Sequence, residues 1–234
     1  MKQLIVILAL VIAIPLSAQR NVETSVAVNK GQDIFLHFKF AQNIKIEQWS
    51  KNEVSVKASV IIDDGEGNEA FSLKSDASNG MVEVYSDFGD YYKNRWKDKE
   101  RRNYYDYNRK TEILYTVYIP ENASVRIKSI SGDVESDNFK GMMKTELVSG
   151  DVTIKEYDGE LHLKTVSGDL DVTMKKAEVS AKTLTGSIYS NLDIDIQNKG
   201  RKNYGHNKII GTVNNGGKLV RMETVSGDIY LRKS

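Results

Sequence analysis

Three aspartates recur in one phrase, Ser131-Gly132-Asp133, Ser149-Gly150-Asp151 and Ser167-Gly168-Asp169, with a further copy in Ser226-Gly227-Asp228. Carboxylates repeated at a fixed spacing can do two kinds of chemistry. Two of them converging on one face could cleave a glycosidic bond as acid and base or nucleophile. A stack of them could hold calcium, which takes about six to eight oxygens. Either role requires the acids to be set side by side, so the elements that carry them decide the matter.

Those elements repeat. The glycines of the first three phrases and of Thr185-Gly186-Ser187 are spaced by 18 residues, and Gly227 follows after an interruption. A period of this length marks one supersecondary unit stacked on copies of itself. One apolar column precedes the glycines (Ile130, Val148, Val166, Leu184, Val225) and another follows them (Val134, Val152, Leu170, Ile188, Ile229). Alternation continues through Val152 and Ile154 and through Leu161 and Leu163, a strand pattern with no helical period. A second small-residue set, Gly141, Gly159 and Ala177, lies halfway, so each unit reads as two strands and two corners. Stacked in parallel, such units give a β-solenoid with an aliphatic interior and rungs ~4.8 Å apart. A three-faced coil of six-residue repeats is disfavoured, because the hexad frame from Ile130 meets Ser136 and Glu160.

The fold class is therefore all-β, a single-stranded β-helix or β-solenoid with ~18-residue coils and a projecting insertion. Residues 1–18 read as a signal peptide: Lys2, an apolar run from Leu4 to Ile14, then Leu16-Ser17-Ala18 before a cleavage site at Gln19. That run is short for a membrane span of ~20 residues, so no transmembrane segment is expected after cleavage. Residues 19–120 read as irregular opening rungs with an insertion at 87–110, and 121–234 as the regular repeats. Asn198 to Asn207 reads as a loop pushed out of one coil, with Lys208 to Val213 resuming the pattern. The chain has no cysteine, so it carries no disulfide and no thiolate chemistry. With 33 basic and 32 acidic residues it has no global field to attract nucleic acid. Localisation is expected to be exported: periplasmic, extracellular or cell-surface.

The lead-in Tyr115-Thr116-Val117-Tyr118-Ile119-Pro120, then Val125 to Val134 with its Ser-Gly-Asp, then the same phrase at most rungs, resembles the bacterial putative-adhesin family. That family consists of exported, Gly-rich β-repeat proteins of unknown function. The resemblance covers residues ~40–234. It implies a right-handed β-helix at the cell envelope, and it brings no catalytic residues with it.

Along such a ladder Asp133, Asp151 and Asp169 repel one another by up to ~1 kcal/mol in water. Relief by turn chemistry, each carboxylate bonding the backbone N–H groups of its own corner, takes precedence over a weak calcium site at these three residues. Ser187 breaks the ladder at the fourth copy, and the Gly-Gly-x-Gly-x-Asp calcium repeat is absent. His37, His162 and His206 are isolated, with alternation placing His162 outside. Asp87-Phe88-Gly89 matches a kinase tripeptide without its companion motifs. No enzyme and no cofactor is expected; a carbohydrate-active β-helix enzyme is the alternative from another class.

Asp87 to Lys110 breaks the frame, with seven aromatic, eight basic and five acidic residues and no apolar period. Tyr, Trp and Arg anchor interfaces, and aromatic rings stack on sugars. Tyr91, Tyr92, Arg95, Trp96, Arg101, Arg102, Tyr104 and Tyr105 are the binding candidates, for an unknown protein or glycan. The competing expectation is that these rings cover an end of the solenoid. The functional expectation is a non-enzymatic adhesin or scaffold of the envelope, or else a periplasmic partner of an envelope signalling or stress-response protein.

Overall fold

A computed structural model describes residues 19–78, 80–97, 109–196 and 207–234, the side chains of residues 96 and 97 excepted. The expected leader, at 1–18, lies outside them. The first half contains β1 (Arg20–Ala27), β2 (Asp33–Phe38), β3 (Asn43–Trp49), β4 (Glu53–Ile61), β5 (Ser72–Ser78), β6 (Met81–Asp87), the helix α1 (Tyr91–Lys97) and β7 (Glu112–Pro120). Next come β8 (Ser124–Ser129), β9 (Asp133–Ser136), β10 (Phe139–Ser149), β11 (Val152–Ile154), β12 (Tyr157–Ser167) and β13 (Leu170–Met174). The chain closes with β14 (Ala177–Thr183), β15 (Ile188–Ser190), β16 (Ile194–Ile196), β17 (Asn207–Val213), β18 (Leu219–Thr224) and β19 (Ile229–Lys233).

These strands form two sheets, and most of their pairings are parallel. One runs β1-β4-β7-β3-β9-β11-β13-β19-β15, the other β16-β17-β14-β18-β12-β10-β8-β2-β6-β5. The chain passes from the second sheet to the first through each Ser-Gly-Asp corner and returns through the opposite corner. In the regular part residues 18 apart stack directly, as Met142 on Ser124 and Phe139 on Tyr157. Among the described residues this makes seven rungs, in spatial order β6/β7, β2/β3, β8/β9, β10/β11, β12/β13, β18/β19 and β14/β15.

Spatial order and chain order differ at both ends. The first coil of the chain, β2/β3, lies one rung inside β6/β7, and the last coil, β18/β19, lies one rung inside β14/β15. Ser226-Gly227-Asp228 is therefore the fourth copy in space and Thr185-Gly186-Ser187 the fifth. The Lys208 to Val213 stretch does not resume the coil either. It is β17, antiparallel to β14, and it extends the second sheet past the last rung. At the other end β4 with β1, and β5, continue the two sheets as antiparallel strands, so no parallel coil stands bare there.

The interior follows from strand alternation. Val134, Val152, Leu170 and Ile229 form one fully buried column, as the pattern after each glycine requires. The column before the glycines corrects the sequence reading. Ile130, Val148, Val166, Val225 and Leu184 are 41–55% exposed. Strand parity explains this: inward Leu161 and Leu163 make Thr165 the next inward residue and Val166 an outward one. The inward place before the corner is held by Ser129, Leu147, Thr165, Thr224 and Thr183, all buried. The three threonine hydroxyls cap corner carbonyls that the ladder leaves over: Thr165 donates to the Gly150 carbonyl at 3.1 Å, Thr224 to that of Gly168 at 3.1 Å and Thr183 to that of Gly227 at 2.9 Å. A buried carbonyl without a donor is costly, so threonine suits these three rungs, whereas Leu147 fills the same place with apolar volume.

On the outer face of the second sheet Glu146 is gripped by three cations. Arg126 bonds both its oxygens, at 2.8 and 3.0 Å, while Lys128 and Lys144 approach to 3.2 and 3.0 Å. Burial raises the carboxyl's pKa, but hydrogen bonds from Lys144, Lys128 and Arg126 outweigh it and hold the group down at about 2. A carboxylate with a depressed folded pKa stabilises the fold above its ordinary value and loses that contribution as pH falls. The stability difference between the native chain and Glu146→Gln should therefore be full above pH 4.5 and shrink toward pH 2. Parallel thermal melts across that window measure it.

Candidate functional site

The Ser-Gly-Asp corners form one long edge of the molecule, and the aspartates on it serve the backbone. Oδ1 of Asp133 accepts from the N–H of Asp151 at 2.9 Å, and Asp151 does the same for Asp169 at 2.7 Å. Asp169 accepts from Asp228 at 2.7 Å, and Asp228 from Ser187 at 2.8 Å. Each carboxylate thus caps the next rung and not its own corner. Ser187 ends the series because no rung follows whose N–H needs an acceptor. Among the described residues no three acidic or imidazole groups gather as they would around a cation. Asp151→Ala should cost about 1 kcal/mol, since water can reach the freed N–H, and Asp151→Asn less, because an acceptor remains. Melting temperature should not differ between chelator and millimolar calcium; a calcium-dependent rise lost in Asp151→Ala would make the ladder a metal site.

The insertion occupies the same edge at the rung formed by β6 and β7. Its described part does not project. Gly89 turns the chain into the seven-residue α1, whose first side chains pack inward. Tyr91 donates to the carboxylate of Asp63, and Arg95 pairs with it. Asp63 is 4% exposed and sits in the turn between β4 and β5, where it and Asp64 have φ of 52° and 59°. The returning strand is tied to the same turn. The Lys110 N–H donates to Asp64 Oδ1 at 3.0 Å, the Asp64 N–H to the Lys110 carbonyl at 2.9 Å, and Arg109 pairs with Glu66. Gly67 admits the Tyr91 ring: a Cβ there would lie 2.6 Å from its hydroxyl oxygen.

Above this clamp an aromatic cluster closes the end of the core. Phe88 meets Phe71 at 5.4 Å and Tyr92 at 5.4 Å between ring centroids, and Phe40 reaches Tyr92 at 4.9 Å and Phe88 at 5.6 Å. Burial pushes the Tyr92 phenol upward, as expected of a ring that faces protein. Of the eight residues singled out in the sequence, Tyr91, Tyr92 and Arg95 are therefore brought together as a cover. The side chain of Trp96 is not described, and Arg101, Arg102, Tyr104 and Tyr105 lie outside the described residues. Phe40, Phe71, Phe88 and Asp63 carry the cover too, and no periodic pattern in the sequence marks them.

Between the cover and the first corners lies an open depression of about 310 Å³, bordered by Phe40, Gln42, Thr111, Ser131, Asp133 and Ser149. Lys97 and Arg109, which flank residues 98–108, lie at this end of the edge. Ile196 and Asn207, which flank 197–206, lie at the other, where the Asn207 side-chain amide donates to the Gly186 carbonyl. His162 sits away from the edge, bonded to Glu160 at 2.6 Å. Burial foremost, then the Lys39 charge, holds His37 below the ordinary imidazole range, with Glu83 opposing.

Residues 117–232 match the family model described as Toastrack DUF4097. The chain carries a Toastrack DUF4097 domain. The Toastrack segment begins inside β7 and ends in β19, so the clamp and strands β1 to β6 precede it. A solved structure described as a putative cell adhesion protein from Clostridium sporogenes ATCC 15579 aligns over 92% of this Toastrack chain and 100% of that one, at 14% identity and a TM-score of 0.59. One described as a putative adhesin from Parabacteroides merdae ATCC 43184 aligns over 91% of this chain and 96% of that one, at 10% identity and a TM-score of 0.23. The first of these establishes a shared fold. No curated protein matches the chain. Among the described residues no helix is long and apolar enough to cross a membrane.

Proposed function

We propose that this Toastrack protein is an exported, non-enzymatic binding module of the cell envelope, an adhesin or scaffold. Its recognition surface is the Ser-Gly-Asp edge at the end where the insertion leaves. One observation carries this reading: the described residues that flank 98–108 and 197–206 all lie at this edge, the first pair beside the depression bordered by Phe40 and Ser131. Binding residues concentrate on connecting segments anchored to a rigid scaffold. The acids that could have served hydrolysis are engaged with backbone N–H groups instead. The shared fold with a protein described as a putative cell adhesion protein agrees with it.

In this reading Arg101, Arg102, Tyr104 and Tyr105 supply the contacts, and the stems on either side hold them in place. Aromatic and guanidinium groups suit a glycan or a protein surface bearing carboxylates. The test is removal of residues 98–108 with a short glycine linker, leaving both clamped stems intact. Retention of the purified protein on envelope fractions should fall by at least about tenfold while the melting temperature holds. Equal retention by the shortened chain would refute the assignment of the contacts to this segment.

A further inference from the structure

The exposed column Ile130, Val148, Val166, Val225 and Leu184 has no role in the core, yet every one of five successive rungs carries a branched aliphatic there. We propose that this seam is a self-association surface, on which a second copy of the chain packs side by side in parallel. Spaced at ~4.8 Å, the five residues make an apolar strip roughly 20 Å long at the margin of the second sheet. Branched aliphatics repeated at an outward strand position add only modest cross-strand stability, so solvent exposure of the whole strip is a standing cost.

The charges beside the strip select the occupant. On the strand side the adjoining column holds Lys128, Lys164 and Lys182, and Arg126, Lys144 and Arg221 lie beyond it. His162 and Ser180 complete the outer column, and the two acids of the adjoining column, Glu146 and Glu223, are each already paired with an arginine of the same face. On the corner side stand Asp133, Asp151, Asp169 and Asp228. The seam is therefore apolar with a basic flank and an acidic flank. A two-fold axis along the stack of rungs sets strip on strip and brings each copy's lysines against the other's aspartates. A two-fold axis across the strip would oppose like charges, which costs affinity. Complementarity thus favours a second copy, and it favours the parallel arrangement.

The flanks and strip together cover on the order of 900 Å² for the pair, at the low end for a specific interface, so the dimer should be weak and form in the micromolar range. Sedimentation velocity of the full chain across that range should show a monomer passing to a dimer. Val148→Asp with Val225→Asp should weaken association by on the order of 100-fold without lowering the melting temperature, since both side chains are exposed. The chain has no cysteine, so single cysteines report orientation cleanly. Under mild oxidation Ile130→Cys should cross-link to itself and Leu184→Cys to itself, and a mixture of the two should give no cross-pair. A monomer throughout, or a dimer indifferent to the aspartates, would overturn the proposal, and 130-to-184 cross-links would overturn the parallel arrangement. The variants leave residues 98–108 in place, so loss of the dimer with retained envelope binding separates this surface from the recognition edge.

Discussion

Gly168→Val is expected to destabilise the protein by about 4 kcal/mol or more, a large fraction of the roughly 5–15 kcal/mol that holds a folded domain together. A Cβ at this position would stand 2.1 Å from the carbonyl oxygen of Gly150 in the rung before, and φ there is +150°. The obstacle is backbone, held by the Gly150 N–H bond to the Ser167 carbonyl and by the Thr165 hydroxyl on the Gly150 carbonyl, so it cannot swing aside as a flexible side chain would. The Cβ that Gly227 would need lies 1.9 Å from the Gly168 carbonyl, so a shift at one rung passes to the next. The control is Gly31→Ala, where φ is +84° but nothing lies within 4 Å. There only the backbone preference is lost, about 1 kcal/mol. Denaturant midpoints for the two variants measure the difference; equal losses would mean that the close stacking of the glycine corners is not what fixes the rungs.

Asp63→Ala is expected to cost about 3 kcal/mol and to release the cover. Asp63 is the buried member of this pair, and its removal takes one carboxylate away from both the Arg95 guanidinium and the Tyr91 hydroxyl. The neighbouring Arg109–Glu66 pair is far more exposed, so Glu66→Ala should cost no more than about 1 kcal/mol. Limited proteolysis gives the sharper readout. Trypsin should cut at Lys93, Arg95 or Lys97 much faster in Asp63→Ala than in Glu66→Ala. If both variants are cut alike, the clamp is not what seats α1.

The frame of the fold was legible because it is written in local chemistry. Glycines recur where another rung's carbonyl leaves no room for a Cβ, and Val134, Val152, Leu170 and Ile229 mark the inward side. Two features were not legible in the same way. The rung order at the C-terminal end was hidden because Gly186 lies one full period after Gly168, so direct stacking of β14 on β12 satisfies the same spacing that β18 satisfies. The one clue was the missing carboxylate at Ser187, which reads as a broken ladder until it is seen to be the last rung. The outward aliphatic column was hidden by its apolarity, although parity from Leu163 through Thr165 to Val166 places it outside. The clamp was invisible for a different reason. Asp63 and Arg95 are distant in sequence and belong to no repeat, and only the closing of the solenoid end brings them together.

The family and the fold leave the reaction question to experiment, and one measurement bears on it most directly. Purified full-length protein is incubated with acidic and neutral envelope polysaccharides, and binding and product release are followed in the same samples. A binding module should give saturable retention on a subset of them and no new reducing ends or unsaturated products at any pH from 5 to 9, because its repeated aspartates are tied to the rungs. Sustained release of such products, lost on changing an aspartate of the Ser-Gly-Asp edge to asparagine while the fold survives, would contradict the account.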